Sequence, residues 1–144
     1  MASFGERSER NLATVHPDLQ KVLRLAIQVV DFSVDCGLRT KEQQEKVVAD
    51  GNSWVNFPDS KHNRSKNDDG TWNLELSDAA DIVPYPTKWP DIRTQTSKEY
   101  VKRMGRFYFM AGVVLACAFV LGVKLFWGGW WKKFDSPHFH RVSK

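Results

Sequence analysis

The chain has 144 residues, of which 42% are hydrophobic and 26% charged, and its formal net charge is +4 at pH 7. This length and composition predict one folded domain with a core of ordinary size, and they exclude a low-complexity protein. The basic balance favours anionic surroundings such as nucleic acid, anionic lipid or cell wall, although an ordinary solvated surface explains it equally well. The first ten residues are charged and contain no apolar segment, so no secretory signal peptide is expected.

Helical and strand-like patterns alternate along the first fifty residues. Apolar residues recur at helical spacing over 17–30, beginning with a proline in the first turn. Residues 32–36 alternate like a short strand, and Thr40 caps a second predicted helix over 41–48. Arg39 therefore lies at a strand-to-helix junction, where its side chain either points into a cleft or is an ordinary surface arginine.

The middle of the chain contains a turn-forming segment at residues 67–70, followed by strand-like segments at 71–76 and 79–83. This pattern predicts a strand, a polar hairpin and a strand, with His62 and Asp81 each at the edge of a strand. A carboxylate inside a buried strand is costly unless it is paired or bound to a cation. Asp81 is therefore favoured over Asp78 as the functional carboxylate.

An uncharged run of 17 residues, 107–123, continues a helix predicted to begin at Lys98 and leads into a strand at 123–127. A bilayer-spanning helix needs roughly 20 apolar residues, so a buried central helix is favoured over a membrane span. The alternative is a small membrane-associated protein organised by this helix. Cys117 lies in the run, which favours free thiols at Cys36 and Cys117 over a disulfide.

Three side chains could form a catalytic zinc site: His62, Asp81 and His138. Such a site takes three protein ligands and leaves a fourth position for water, whose pKa the metal lowers toward ~7. Asp135 lies three residues before His138 and could act as the general base. Arg39 could stabilise an oxyanion or hold a substrate carboxylate. Spacing alone is weak support for this site, since the sequence contains no His-Glu-x-x-His motif.

Five short motifs occur in order along the chain: Gly37-Leu38-Arg39-Thr40 with Gln43-Gln44, Ser60-Lys61-His62, Asp78-Ala79-Ala80-Asp81-Ile82-Val83-Pro84, Trp127-Gly128-Gly129, and Asp135-Ser136-Pro137-His138-Phe139. Together they resemble the zinc D-alanyl-D-alanine metallopeptidase family over roughly residues 12–139. That family includes D-Ala-D-Ala carboxypeptidases and dipeptidases, and phage L-alanyl-D-glutamate endopeptidases that act as endolysins. The resemblance implies an α+β, Hedgehog/DD-peptidase-like fold, in which a small antiparallel sheet carries the zinc site and helices pack on it.

The resemblance also implies roles for individual residues: three Zn²⁺ ligands, two catalytic residues and three substrate contacts. The implied Zn²⁺ ligands are His62, Asp81 and His138. Asp135 is the implied general base, and Arg39 is the second catalytic residue. The implied substrate contacts are Ser60, Gln43 and Gln44. Three features depart from the family pattern. Residues 63–77 replace a short link, which predicts an inserted hairpin over the cleft. Phe126 and Trp130 stand where relatives often have a basic and an acidic residue, and His140 stands at a position that is often acidic or amide.

Within the family, a single catalytic domain over 1–144, without a signal peptide or wall-binding domain, resembles a phage endolysin. The implied activity is zinc-dependent hydrolysis of the L-Ala–D-Glu bond of peptidoglycan stem peptides. A D-Ala-D-Ala carboxypeptidase or dipeptidase is the alternative within the family. The implied enzyme is a bacteriolytic, antimicrobial monomer made in the host cytoplasm, which reaches the cell wall in the periplasm after release by a holin-type protein. No nucleic-acid partner and no stable membrane insertion are expected.

Overall fold

A small antiparallel sheet and four α-helices make up residues 2–143, the part of the chain described by this computed structural model. The helices are α1 (Glu6–Leu12), α2 (Pro17–Ala26), α3 (Lys41–Ala49) and α4 (Ser97–Val120), and a short 3-10 helix covers Gly128–Trp130. The strands are β1 (Phe32–Cys36), β2 (Ser65–Lys66), β3 (Trp72–Asn73), β4 (Ala79–Pro84), β5 (Leu125–Trp127) and β6 (His138–Arg141). The predicted α+β class is confirmed.

The main sheet has the strand order β1-β4-β6-β5, with every neighbouring pair antiparallel. Successive side chains of a strand point to opposite faces of a sheet. Ala80, Ile82 and Phe139 are fully buried in the core beneath α2 and α4. Asp81 and His138 are paired directly across β4 and β6, and both therefore lie on the opposite face of the sheet.

Local capping interactions set where the helices begin. Thr40 and Thr96 each accept a hydrogen bond from the backbone of the first turn, in complete capping boxes at α3 and α4. The helix predicted over 17–30 begins as expected and ends at Ala26. Helix α1 was not predicted, because its seven residues are mostly charged and only Ser8 and Leu12 are buried. A helix without an apolar repeat gives no periodic signal.

Helix α4 contains the uncharged run and is buried on one face only. Phe107, Met110 and Val114 face the core, whereas Phe109 and Phe119 are exposed. The helix is long and apolar enough to cross a membrane by length and composition, and 33% of its most apolar 18-residue window is buried in the domain. The prediction of a buried central helix is therefore correct for the inner face and wrong for the outer one.

The polar insertion forms the predicted hairpin, in which β2 pairs with β3. Two details of the prediction are wrong. The strand predicted over 71–76 is reduced to Trp72–Asn73, and His62 lies in a turn rather than at a strand edge. A third shift is smaller, since the strand predicted from Val123 begins at Leu125. The two cysteines are free thiols, as predicted.

Candidate active site

Two histidines converge on one carboxylate oxygen at the centre of the main sheet. Nδ1 of His138 lies 3.4 Å from Oδ1 of Asp81, and Nε2 of His62 lies 3.2 Å from the same oxygen. All three side chains are largely buried, with side-chain exposures of 7%, 19% and 3% for His138, Asp81 and His62. Both histidines proposed from the sequence as metal ligands thus lie within 3.4 Å of the same oxygen of Asp81, the third proposed ligand.

The orientation of His62 is fixed by its other ring nitrogen. Nδ1 lies 2.7 Å from the carbonyl oxygen of Gly37, so this nitrogen carries the proton and donates it to the carbonyl. Nε2 is then the ring nitrogen that faces Asp81. Gly37 is held tightly against the end of α1, because a Cβ there would collide with Thr14 and with the carbonyl of Asn11. A backbone carbonyl that fixes a histidine tautomer is a common support for metal ligation.

A second carboxylate, Asp135, lies beside this cluster. Carboxylate oxygens of Asp135 and Asp81 and a ring nitrogen of His138 all lie within 4.8 Å of one another. The backbone N–H of Asp135 donates to the carbonyl of Gly128 over 3.0 Å. A Cβ at Gly128 would collide with the carbonyl of Asp135, so only glycine allows the loop to close this tightly.

The charges of the cluster are strongly coupled. Burial opposes the ionised form of Asp81, but the attraction of His62 and the hydrogen bond to His138 outweigh it and hold the pKa of Asp81 well below its usual range. Burial likewise opposes a charge on His62, yet the Asp81 carboxylate raises the pKa of His62 to about 10. Burial and the nearby Asp81 charge raise the pKa of Asp135. Asp81 is therefore the fixed negative charge, and Asp135 is the carboxylate that holds a proton more readily.

Arg39 lies next to the cluster, as its position in the sequence suggested. One guanidinium nitrogen lies 3.0 Å from Oδ2 of Asp81, on the oxygen that does not face the histidines. Its side chain also lines the cleft. Arg39 is thus placed both to orient Asp81 and to contact a molecule in the cleft.

The other three residues expected to contact substrate have different surroundings. Ser60 lines the cleft, and its hydroxyl accepts a hydrogen bond from the backbone of His62. Gln44 is fully buried and donates hydrogen bonds to Ser53 and to the carbonyl of Val55. These bonds connect the loop that contains Ser53 and Val55, which line the cleft, to α3. Gln43 is exposed and completes the capping box of α3, outside the cleft-lining residues.

Sequence reasoning missed Cys36 as a member of the site. The β1–β4 register places Cys36 opposite Asp81, and its sulfur lies 3.8 Å from Nδ1 of His62. Cys36, His62 and Asp81 form a second group with metal-binding potential. The thiol contacts the nitrogen of His62 that already donates to Gly37, on the far side of the ring from Nε2. The contact depends on a β-bulge between Val34 and Cys36, and the sequence contains no signal that predicts this bulge.

A buried ion pair below the site was also missed. Asp78 and Arg141 have side-chain exposures of 2% and 6% and lie 3.1 Å apart. Asp78 also accepts hydrogen bonds from the hydroxyl of Ser65 and the backbone of Lys66. Arg141 in turn donates to the carbonyl of Lys66. The pair therefore anchors the β2–β3 hairpin to β6, the strand that carries His138.

Phe126 and His140, two of the three residues that depart from the family pattern, form a stacked pair. They face each other across β5 and β6, and their rings stack with centroids 5.2 Å apart and planes 18° apart. Nδ1 of His140 lies 2.9 Å from Nε2 of His138. Burial and the nearby His138 lower the pKa of His140 to about 3, which leaves His140 neutral and able to accept a hydrogen bond.

The cluster opens into a cleft with a volume of about 590 Å³. Trp54 and Trp131 line it together and pack edge to face, with ring centroids 5.8 Å apart. The ring of Trp131 also stacks on His138, with centroids 4.6 Å apart. Three lysines line the same cleft: Lys61, Lys132 and Lys133. No residue of the insertion, 63–77, is among those that line it. The prediction that the hairpin covers the cleft is therefore wrong, because the hairpin is held against Asp78 and Arg141 instead.

An α+β domain that brings two histidines and two carboxylates together beside an open, basic cleft is built as a hydrolytic enzyme. Residues 1–142 match the model of the family described as phage L-alanyl-D-glutamate peptidase. The chain therefore belongs to the phage L-alanyl-D-glutamate peptidase family.

Individual relatives support the same assignment. The chain is 31% identical over 141 residues to the L-alanyl-D-glutamate peptidase of Escherichia phage T5, covering 94% of this chain and 85% of that protein. Among solved structures it is similar to the L-Ala D-Glu endopeptidase ChiX of Serratia marcescens. That comparison has a TM-score of 0.70 and 30% identity, and it covers 97% of this chain and 90% of the other. The family and the peptidase class expected from the sequence are confirmed.

Proposed function

We propose that this protein is a zinc-dependent endopeptidase that hydrolyses the L-Ala–D-Glu bond of peptidoglycan stem peptides. The observation that carries the proposal is the convergence of His62, His138 and Asp81 beside a second carboxylate, in a member of this family. We further propose that the enzyme works as a monomer on the cell wall, after a holin-type protein gives it access from the host cytoplasm.

The donor set fits a zinc ion. Two imidazole nitrogens and one carboxylate are a usual protein ligand set for catalytic zinc. Because Nδ1 of His62 donates to Gly37, Nε2 is the nitrogen that would bind the metal after losing its proton, and Nδ1 of His138 faces the same oxygen of Asp81. When bound by these three residues, zinc would act as a Lewis acid toward water and the scissile carbonyl.

Asp135 is the residue of this chain that we propose to move the proton. As water adds to the L-alanyl carbonyl carbon, the Asp135 carboxylate accepts one of its protons. The same proton then passes to the nitrogen of D-glutamate as the carbon–nitrogen bond breaks, which leaves a carboxyl group on L-alanine and an amine on D-glutamate. A carboxyl group whose pKa is raised by burial and a neighbouring charge is suited to both halves of this transfer.

The cleft supplies positive charge for an anionic stem peptide. Lys61, Lys132 and Lys133 line it, and Arg39 reaches its floor. These cations attract the carboxylates of the stem peptide and hold its scissile bond beside Asp135. Trp54 and Trp131 form one aromatic surface of the cleft, and the peptide backbone lies between this surface and the cationic rim.

Analysis of a peptidoglycan digest by mass spectrometry tests the bond that is cut. The expected products are a glycan-linked fragment ending in L-alanine and a free peptide beginning with D-glutamate. Release of D-alanine alone would instead identify a D-Ala-D-Ala carboxypeptidase. Activity is expected to disappear with a chelator and to return with Zn²⁺, and activity that persists after complete metal removal would contradict the metal assignment.

Replacing His62 and Cys36 separately decides which metal group is used. We expect His62→Ala to lose stoichiometric zinc binding, whereas Cys36→Ser keeps it, because the Cys36 thiol lies beside the protonated nitrogen of His62. Metal content of the purified variants, measured by mass spectrometry after equal dialysis, gives the answer. Loss of zinc from both variants would show that the thiol is also a ligand, since His62 belongs to the Cys36 group as well.

We expect His140 to stabilise zinc binding through His138. With Nδ1 of His138 on the metal, Nε2 carries a proton and donates it to Nδ1 of His140, 2.9 Å away. His140→Phe keeps the stack on Phe126 and removes the acceptor, so the zinc dissociation constant should rise roughly 10–100-fold. His140→Asn places an oxygen near the position of Nδ1 and should recover most of the affinity. Equal affinities of all three proteins in a chelator competition would contradict this role.

A further inference from the structure

The outer face of helix α4 is apolar and exposed over its C-terminal half. Residues three and four positions apart share a helix face, and here that face is formed in sequence by Lys102, Gly105, Phe109, Gly112, Ala116 and Phe119. Phe119 is 87% exposed, the adjoining Val120 75% and Phe109 61%. Large exposed apolar side chains that share one helix face point to a contact site, unlike apolar residues scattered singly.

The inner face of α4 excludes a transmembrane position in the folded domain. Phe107, Met110 and Val114 are at most 1% exposed and belong to the core. A helix that packs against α2 and the sheet through these residues cannot also be surrounded by lipid. The outer face can only lie along a surface.

The charges around this face are basic. Helix α4 itself carries four lysines or arginines, Lys98, Lys102, Arg103 and Arg106, and one acidic residue. Lys98 and Lys102 continue the face toward the start of the helix and are exposed. The acidic residue on the first turn, Glu99, completes the capping box with Thr96. The face therefore combines exposed aromatic side chains with positive charge at its end.

We propose that the outer face of α4 docks this enzyme on the surface of an anionic lipid bilayer. Phe109, Phe119 and Val120 would enter the boundary between head groups and acyl chains, while Lys98 and Lys102 contact anionic head groups. Apolar residues on one helix face with basic residues beside them are the arrangement that binds such interfaces. A second copy of the chain is a poorer occupant. Parallel pairing would bring Lys98 and Lys102 of the two copies together, and antiparallel pairing would place these lysines against the apolar Phe119 and Val120.

Docking in this way leaves the cleft open. Helix α4 packs on the sheet face formed by Ala80, Ile82 and Phe139, whereas Asp81 and His138 lie on the other face. A membrane-bound enzyme would thus keep its cleft directed away from the lipid.

Flotation of the full-length protein with lipid vesicles tests this proposal without relying on catalysis. We expect binding to vesicles of phosphatidylcholine mixed with phosphatidylglycerol, weaker binding at high salt, and little binding to phosphatidylcholine alone. The double variant Phe109→Ser/Phe119→Ser should reduce the partition coefficient at least about tenfold, because each ring loses its burial in lipid. Lys98→Glu/Lys102→Glu should reduce binding to the anionic vesicles by a similar factor.

Leu74→Ser is the matched control, since Leu74 is 63% exposed on the inserted hairpin, and it should bind as the unmodified protein does. Circular dichroism and peptidoglycan cleavage should be unchanged in all variants, which separates lost docking from lost folding. The proposal is overturned if the unmodified protein does not float with anionic vesicles, or if the phenylalanine variant floats equally well. Self-association abolished by the same phenylalanine substitutions, without vesicle binding, would assign the face to a second copy.

Discussion

Asp135→Asn is expected to lower kcat roughly 10²–10⁴-fold, the range for loss of a general acid–base group, while zinc binding is retained. Asparagine has the same shape as aspartate and cannot accept the proton of the attacking water. Asp135 approaches Asp81 and His138 without being part of the convergence on Oδ1 of Asp81. The metal ligands should therefore keep their positions. Turnover of purified muropeptides, measured together with metal content, checks the prediction.

A second carboxylate of the cleft provides the control for this substitution. Asp59 also lines the cleft, but its side chain is 72% exposed and pairs with Arg64 at the rim. Asp59→Asn removes the same charge from the same cleft and should change kcat only slightly. If the two variants lose activity equally, the effect of Asp135 is one of general charge, and another group must take the proton.

The residues of the candidate site could be proposed from the sequence because each lies in a short motif of its own. An aspartate inside an apolar strand, as at Asp81, is a local signal that it has a partner. His138 follows Asp135 by three residues, so one turn brings both to the same place. The structure adds that the antiparallel register sets Asp81 directly opposite His138, which a list of motifs does not contain.

Contacts that depend on register or burial were not predictable. Cys36 reaches His62 only because a bulge shifts the β1–β4 pairing. Gln44 belongs to a polar residue type that is usually exposed, yet it is fully buried and holds the cleft loop. In both cases the sequence specifies the residue, and tertiary pairing specifies its role.

Hydropathy alone likewise did not predict how much of helix α4 is buried. An uncharged run of 17 residues predicts burial, but it does not say on how many faces. The hydrophobic core lies on only one side of this helix. Phe107 is therefore buried, whereas Phe109 and Phe119 are exposed. A two-layer fold of this size leaves the outer face of its longest helix to solvent or to a surface.

Asp78→Ala is expected to lower the free energy of unfolding by about 3–5 kcal/mol, the usual cost of removing one partner of a buried ion pair. Arg141 would keep its charge at 5% exposure with no carboxylate beside it, and the hairpin would lose its hydrogen bonds to Asp78. Urea denaturation monitored by circular dichroism measures the loss. Chelator should be present throughout, so that zinc bound to the folded state does not add to the stability.

Two variants distinguish this buried pair from an ordinary surface one. Asp59→Ala breaks the exposed pair with Arg64 and should cost less than about 1 kcal/mol. Asp78→Leu combined with Arg141→Met removes both charges and should be less destabilising than Asp78→Ala, because no charge is left buried. A loss below about 1 kcal/mol for Asp78→Ala would mean that the chain tolerates an unpaired Arg141. The pair would then not be what holds β6, and with it His138, against the inserted hairpin.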